Sequence, residues 1–379
     1  MCPGNEIIDH KELNEVKKIF TKSDGVLFAH GYDKRRKNIF RVRDFEKKIS
    51  KVFGVKYVQC VSSGTAAIKI ALKSLGVKPG DEVITQSFNF IATIEAILDC
   101  GAKPIITGIN DNLNMPVEEL PKLITKKTKA IILVHMLGYS GEINKIQKLC
   151  KKKNIPLIED NCEAVGATFN GKQLGTLSDI GIFSFDFGKT ITTGEGGCLL
   201  TNNKKKFLYF KRYHDHGHKL IKNISRGVDD ADMPGFNYRM TELQAAIGIS
   251  QIKNLNFILK ESKKRFLIME NKLKNKINLR KIYKGSKPNY DTLIFKIENK
   301  QKRKKIVDYL VAEGVGTKNL PDAIKWHFAY FWKHAITKDQ IKNTLASKKI
   351  LEKYIAIPIY LKKSVKLYEK ISIGILDLI

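Results

Sequence analysis

Between about residues 55 and 202 the chain alternates short β-rich runs with stretches of helix length, and this alternation restricts the fold more than any other feature. The strand candidates are Tyr57–Val61, Glu82–Gln86, Pro104–Ile109, Ala130–His135, Pro156–Asp160, Gly181–Phe185 and Gly197–Thr201. Between the earlier ones lie segments such as Thr65–Leu75 and Ile91–Asp99, with apolar residues three and four apart, the period of an amphipathic helix. Gly76, the Pro79–Gly80 pair and Gly101 punctuate the turns. Strand–helix–strand units join neighbouring strands by crossovers, so the pattern predicts an α/β fold with a mainly parallel sheet buried on both faces.

After about residue 240 the texture changes. Met240–Lys276 has a long helical pattern with Leu243, Ile247, Ile252, Leu255 and Leu259 roughly on one face, followed by a smaller α+β region with few glycine-rich turns. A length of 379 residues suits a large domain plus a smaller one. The boundary is placed at 1–250 for the large domain, including a helical N-terminal segment, and 251–379 for the small one.

Composition narrows the classes. With 43% hydrophobic and 28% charged residues, disorder, collagen-like sequence and a coiled-coil rod are excluded for the chain as a whole. The apolar run at 130–139 is far shorter than the roughly 20 residues that span a bilayer, and the acid-bearing start has no continuous apolar core. These features predict no membrane partner and a cytoplasmic protein. Lys+Arg 68 against Asp+Glu 38 gives a net charge of +30. The excess is mostly lysine scattered over helix faces and loops, which reads as a solvated surface. No motif of a nucleic-acid-binding fold accompanies it, so no nucleic-acid partner is expected, although such a field suits anionic small substrates. The six cysteines (Cys2, Cys60, Cys100, Cys150, Cys162 and Cys198) show no CxxC pairing and read as small apolar residues rather than disulfides or zinc ligands.

Three segments carry candidate chemistry. Ser62-Ser63-Gly64-Thr65 lies between a strand and a helix, where hydroxyls, glycine and the N–H groups of a helix N-terminus make a phosphate cradle; plain helix capping explains it equally well. Glu159-Asp160 ends a buried strand, where open α/β sheets place ligand groups, and a strand-end turn is the alternative. In the run Ser184–Gly197, Lys189 leaves a strand and precedes a glycine-rich turn. A lysine in a closed, partly apolar pocket can attack a carbonyl. Each segment is ambiguous alone. Together a phosphate cradle, a strand-end aspartate and a strand-end lysine are the parts that pyridoxal 5′-phosphate requires.

At this point the chain resembles a known family. The motifs VSSGTAAIKIAL, PGDEVITQSFNFIATIEAIL, GAKPI, TKAIILVHMLG, PLIEDNCEAVGA, GTLSDIGIFSFDFGKTITTGEGG, HDHGH and FNYRMTELQAAIG, in this order over nearly the whole chain, are similar to those of the sugar aminotransferases typified by DegT, DnrJ and StrS. The resemblance implies an aspartate-aminotransferase-like fold (fold type I) and a cytoplasmic homodimer with shared active sites. By position it implies Lys189 as the Schiff-base lysine and proton shuttle, and Asp160 as partner of the pyridinium nitrogen. Ser63, Gly64, Thr65 and Ser184 would hold the phosphate, with Asn237 reaching it from a partner subunit, and Phe90 would stack on the ring. Glu163 stands where the family usually has Gln or His near the ring hydroxyl. Some relatives replace the lysine by histidine and are dehydratases; the lysine here favours transamination.

His214-Asp215-His216-Gly217-His218 has alternate histidines, but no further Cys/His pair with finger spacing supports a metal. No metal is expected; a polar loop at the substrate mouth is, with His214 and His216 facing substrate and Arg226 and Arg239 as receptors for anionic groups. The 314–329 segment resembles the subgroup of 8-amino-3,8-dideoxy-manno-octulosonate transaminases, by which Lys318, Asn319 and His327 would face the substrate. The overall expectation is an aminotransferase moving an amino group, from L-glutamate, onto a keto or aldehyde group of a sugar or small sugar-derived anionic metabolite for surface polysaccharide. The alternatives are a nucleotide-linked keto-sugar as acceptor, a dehydratase on the same scaffold, and a non-catalytic cofactor-binding regulator.

Overall fold

The computed structural model describes residues 3–221, 224 and 226–379; Cys2 lies outside them. The seven strands of the central sheet are β1 (Tyr57–Val61), β2 (Glu82–Gln86), β3 (Lys103–Thr107), β4 (Thr128–Val134), β5 (Leu157–Asp160), β6 (Ile180–Ser184) and β7 (Gly197–Thr201). They lie in the order β1-β7-β6-β5-β4-β2-β3. β2, β3, β4, β5 and β6 pair in parallel, whereas β7 is antiparallel to both β6 and β1. The exception has a local cause. The link between β6 and β7 is a loop and not a helical crossover, so the chain returns beside β6 in the opposite sense.

Alternation along the strands buries both faces. Ala130 and Ile132 of β4, Ile158 of β5 and Ile180 and Ile182 of β6 pack on one side, with Ala67, Ile70 and Ala71 of the helix Gly64–Ser74. Ile131 and Leu133 turn to the other side with Ile84 and Leu157. Farther along that second side, Phe183, Cys198 and Leu200 meet Phe45 and Ile49 of the helix Arg41–Phe53 and Ile249, Ile252 and Leu255 of the helix Glu242–Leu273. Cys60, Cys100, Cys150 and Cys198 are buried and Cys162 partly so, all as free thiols. Burial pushes the Cys60, Cys162 and Cys198 thiols upward, which suits packing and not reactivity.

The helix Glu242–Leu273 runs 32 residues, through the boundary expected at 250. It begins in a capping box, with Gln244 N–H donating to the Thr241 hydroxyl and Thr241 N–H to the Gln244 side chain, the reciprocal arrangement that satisfies first-turn donors. Its Glu242 carboxylate, fully buried, accepts from the N–H of Arg41 and Val42 and pairs with buried Arg36 at 2.6 Å. Beyond it a second, antiparallel sheet holds β8 (Asn278–Leu279), β9 (Thr292–Lys296) and β10 (Tyr354–Pro358). Leu293, Phe295, Ile355 and Ile357 join the same core as the β4 and β6 residues, so the C-terminal region is packed onto the large sheet.

Candidate active site

The carboxyl ends of the central strands meet at one edge, and five of them deliver side chains, four of them polar ones, to a cavity of ≈ 400 Å³, the position where open α/β sheets bind ligands. β1 leads to Ser63, Gly64 and Thr65; β2 to Asn89 and Phe90; β4 to Met136; β5 ends on Asp160; β6 ends on Ser184, with Asp186, Gly188 and Lys189 after it. Lys318, Asn319 and His327 enter from the C-terminal region.

The cradle forms because Ser63 caps its helix. Its backbone is extended and its hydroxyl accepts from Ala66 N–H at 3.1 Å, so the capping alternative is what this side chain does. The first-turn N–H groups of Gly64 and Thr65 have no acceptor within the helix, and the dipole adds positive potential there. Gly64 is required by space. A Cβ would meet Ser184 Cβ at 3.0 Å and Cys162 Sγ at 3.3 Å. From behind, a Cβ on Gly197 would strike the Ser63 and Gly64 backbone at 2.6–2.7 Å. A bare backbone rim with N–H donors and the Ser184 hydroxyl fits a phosphate dianion.

Two adjacent carboxylates on β5 have different duties because strand side chains alternate. Glu159 is fully buried, accepting from Gly175, Leu177 and Ser178 N–H at 2.8–2.9 Å with His135 Nε2 at 3.1 Å. Asp160 faces the cavity, 5% exposed. Cys162 N–H donates to its Oδ1 at 3.1 Å, and the Thr93 hydroxyl stands 3.3 Å from Oδ2. Thr93 is also 3.1 Å from Asn89 Oδ1. Neither Thr93 nor Asn89 belongs to a motif that marks it from sequence; Thr93 stands in the first turn of the helix Ala92–Asp99 and Asn89 in the loop before it.

Lys189 Nζ lies 4.0 Å from Glu163 Oε1. Glu163 also accepts from Leu137 N–H at 3.0 Å and from the Asn319 amide at 3.0 Å, with His327 Nε2 at 3.8 Å. Leu137 has φ 58°, a left-handed backbone that a side chain rarely adopts. Burial pushes the Glu163 carboxyl up, but the charges of Lys189 and Lys318, then His327 and the Asn319 hydrogen bond, outweigh it and bring it to about 2. Burial lowers His327, whose Nδ1–H donates to Ala323 O at 2.8 Å. Its ring sits 5.2 Å from that of Phe90. Lys318 pairs with Asp291 at 3.1 Å.

The remaining sequence candidates stand elsewhere on this chain. His214 is buried; its Nδ1–H faces the Phe210 and Lys211 carbonyls, and burial lowers it to about 4. Arg226 and Arg239 both grip the Asp215 carboxylate, Arg239 at 2.7 Å. Their guanidinium groups therefore serve the loop. His216 and Asn237 are exposed and do not line the cavity.

Cradle, facing carboxylate and lysine on one sheet edge define a pyridoxal-phosphate-dependent enzyme of fold type I. The chain belongs to the DegT/DnrJ/EryC1/StrS aminotransferase family, whose sequence profile matches residues 36–371. It is 39% identical over 252 residues to GDP-perosamine synthase of Escherichia coli O157:H7, covering 66% of this chain and 67% of that one. It is 32% identical over 283 residues to GDP-4-keto-6-deoxy-D-mannose 3-dehydratase of Yersinia pseudotuberculosis, 69% of each. These matches span about two thirds of either relative. The fold is shared with PseC of Helicobacter pylori, an aminotransferase involved in pseudoaminic acid biosynthesis, at a TM-score of 0.85 and 24% identity over 100% of this chain and 97% of that one.

Proposed function

We propose that the chain transfers an amino group, with L-glutamate as donor, onto a carbonyl of a sugar or sugar-derived anionic metabolite destined for surface polysaccharide. The observation that carries this reading is the convergence of Lys189 and Asp160 on one cavity floored by the Gly64 cradle. When bound, pyridoxal phosphate supplies an aldehyde that takes up the amino group and a ring that accepts electrons. Gly64, Thr65 and Ser184 would hold its phosphate, and Phe90 would cover the ring. Asp160, fixed by Cys162 N–H and Thr93, would hold a negative charge toward the ring nitrogen and so favour its protonated form. Lys189 would hold the cofactor through its Nζ, and the same amine would be placed to move a proton at the donor's α-carbon.

The dehydratase in the family gives the second reading its weight; lysine at 189 supports transamination over it. For the acceptor, likeness to GDP-perosamine synthase supports a nucleotide-linked keto-sugar, and the 314–329 segment supports a free sugar acid. The test is to incubate the purified enzyme with cofactor and L-glutamate. Release of 2-oxoglutarate with conversion to the pyridoxamine form is expected. Absence of both, with every amino acid donor tried, would refute transamination. Screening the aminated form against nucleotide-linked keto-sugars, sugar-acid aldehydes and small phosphorylated ketones by mass spectrometry then separates the acceptors.

A further inference from the structure

Glu163 is a buried carboxylate beside Lys189. Its side chain is 8% exposed, yet two elements bring it hydrogen-bond donors, the Leu137 N–H and the Asn319 amide. Both donors come from residues with left-handed backbone, Leu137 at φ 58° and Asn319 at φ 64°. Its Oε1 then looks at Lys189 Nζ from 4.0 Å. We propose that Glu163 is a positioning residue that raises the proton affinity of the Lys189 nitrogen and keeps it on the Asn319 side of the cavity.

The other charges around this pair do not replace it. Asp160, Asp186 and Glu195 also line the cavity. Asp160 is tied to Cys162 N–H and Thr93, and Asp186 Oδ1 accepts from Gly188 N–H at 2.9 Å. On the basic side, Lys318 is paired with Asp291, and His327 gives its Nδ1–H to Ala323 O. Burial works against ionisation of Glu163, but Lys189 and Lys318, then His327 and the Asn319 hydrogen bond, outweigh it and hold its carboxyl near 2. An anion at this distance raises the pKa of an amine by about one to three units.

The inference rests on Lys189 being the cofactor lysine, so its test includes a reading that needs no cofactor chemistry. In the holoenzyme, the pH midpoint of the visible absorbance of the bound cofactor is compared in wild type, Glu163→Gln and Glu163→Asp. In the same full-length proteins stripped of cofactor, the pH dependence of Lys189 acylation by acetic anhydride is followed by peptide mass spectrometry. Glu163→Gln keeps the shape and is expected to move both midpoints down by about one to three units, while Glu163→Asp stays near wild type. If Glu163→Gln does not fold, Glu163→Asn against Glu163→Asp gives the same comparison. An acylation midpoint unchanged when the charge is removed would overturn the proposal. Failure of cofactor to bind at all would instead strike the assignment of the enzyme class and leave the acylation result to decide this one.

Discussion

In the proposed function Lys189 and Asp160 would serve opposite ends of the cofactor, so their removal should fail in different ways. Lys189→Ala is expected to lose both the covalent bond to the cofactor and turnover; a mutant that still gives a borohydride-fixable adduct at this position would be inconsistent with the role. Asp160→Asn keeps the Cys162 and Thr93 contacts sterically possible but removes the charge. It should keep cofactor binding within a few fold and lower kcat by about a hundredfold or more, the usual scale of a proton-transfer contribution. Equilibrium binding measured beside single-turnover kinetics separates the two effects. The same scale explains what was legible. Lys189, Asp160 and Gly64 could be read because Asp160 ends a strand and the other two follow one within a few residues, whereas Thr93 and Asn89 make contacts that only the fold creates. His214 and Arg226 show the converse. Their residue types suit substrate binding, but Gln59 faces the His214 ring and Asp215 holds Arg226, and neither partner is visible from spacing.

Elements fix the site by where they leave no room. At Gly64 the cradle is closed by Ser184, so Gly64→Ala should weaken binding of pyridoxal phosphate by about tenfold, roughly 1.4 kcal/mol, and hardly affect pyridoxal. Equal losses for the two ligands in fluorescence titrations would argue against a phosphate cradle. At Gly248 the long helix meets the Phe45 ring, which a Cβ would approach to 2.5 Å. The gain in helix propensity of Gly248→Ala, about 1 kcal/mol, is set against overpacking of about 1–3 kcal/mol. A lowered denaturation midpoint is expected, and an unchanged or raised one would show that the two helices can separate freely. Strand positions were readable because alternation and apolar content survive in any context. The reversed sense of β7 was not, since a twelve-residue loop and a crossover helix look alike until the loop is seen to lack a helical face.

For the whole molecule, pH links distant parts. Burial first, then the neighbouring His214, lowers His30 to about 3, and burial lowers His214 to about 4. In the unfolded chain both take up protons near pH 6.5, whereas the folded chain does so only near those lower values. Stability is therefore full above about pH 6.5 and falls as pH drops toward about 4. Asp215 is depressed in the opposite environment by Arg226 and Arg239, after burial has worked against it, and its contribution is lost only at still lower pH. A thermal denaturation series should show Tm falling between pH 6.5 and 4.5, with the fall reduced in His214→Gln. A flat profile over that range would mean that these histidines are not buried neutral. The two-domain expectation meets the fold at this scale too, because one core joins β4 and β6 to β9 and β10 and the long helix spans the expected boundary.

One amine, Lys189, is proposed to carry the cofactor in a cavity that Asp160 also lines. The most direct measurement is borohydride reduction of the holoenzyme followed by peptide mapping, with and without prior addition of L-glutamate. The cofactor's mass is expected on the peptide containing Lys189, and is expected to disappear from that peptide once glutamate has been added. Cofactor fixed to a different lysine, or fixed to none, would contradict it.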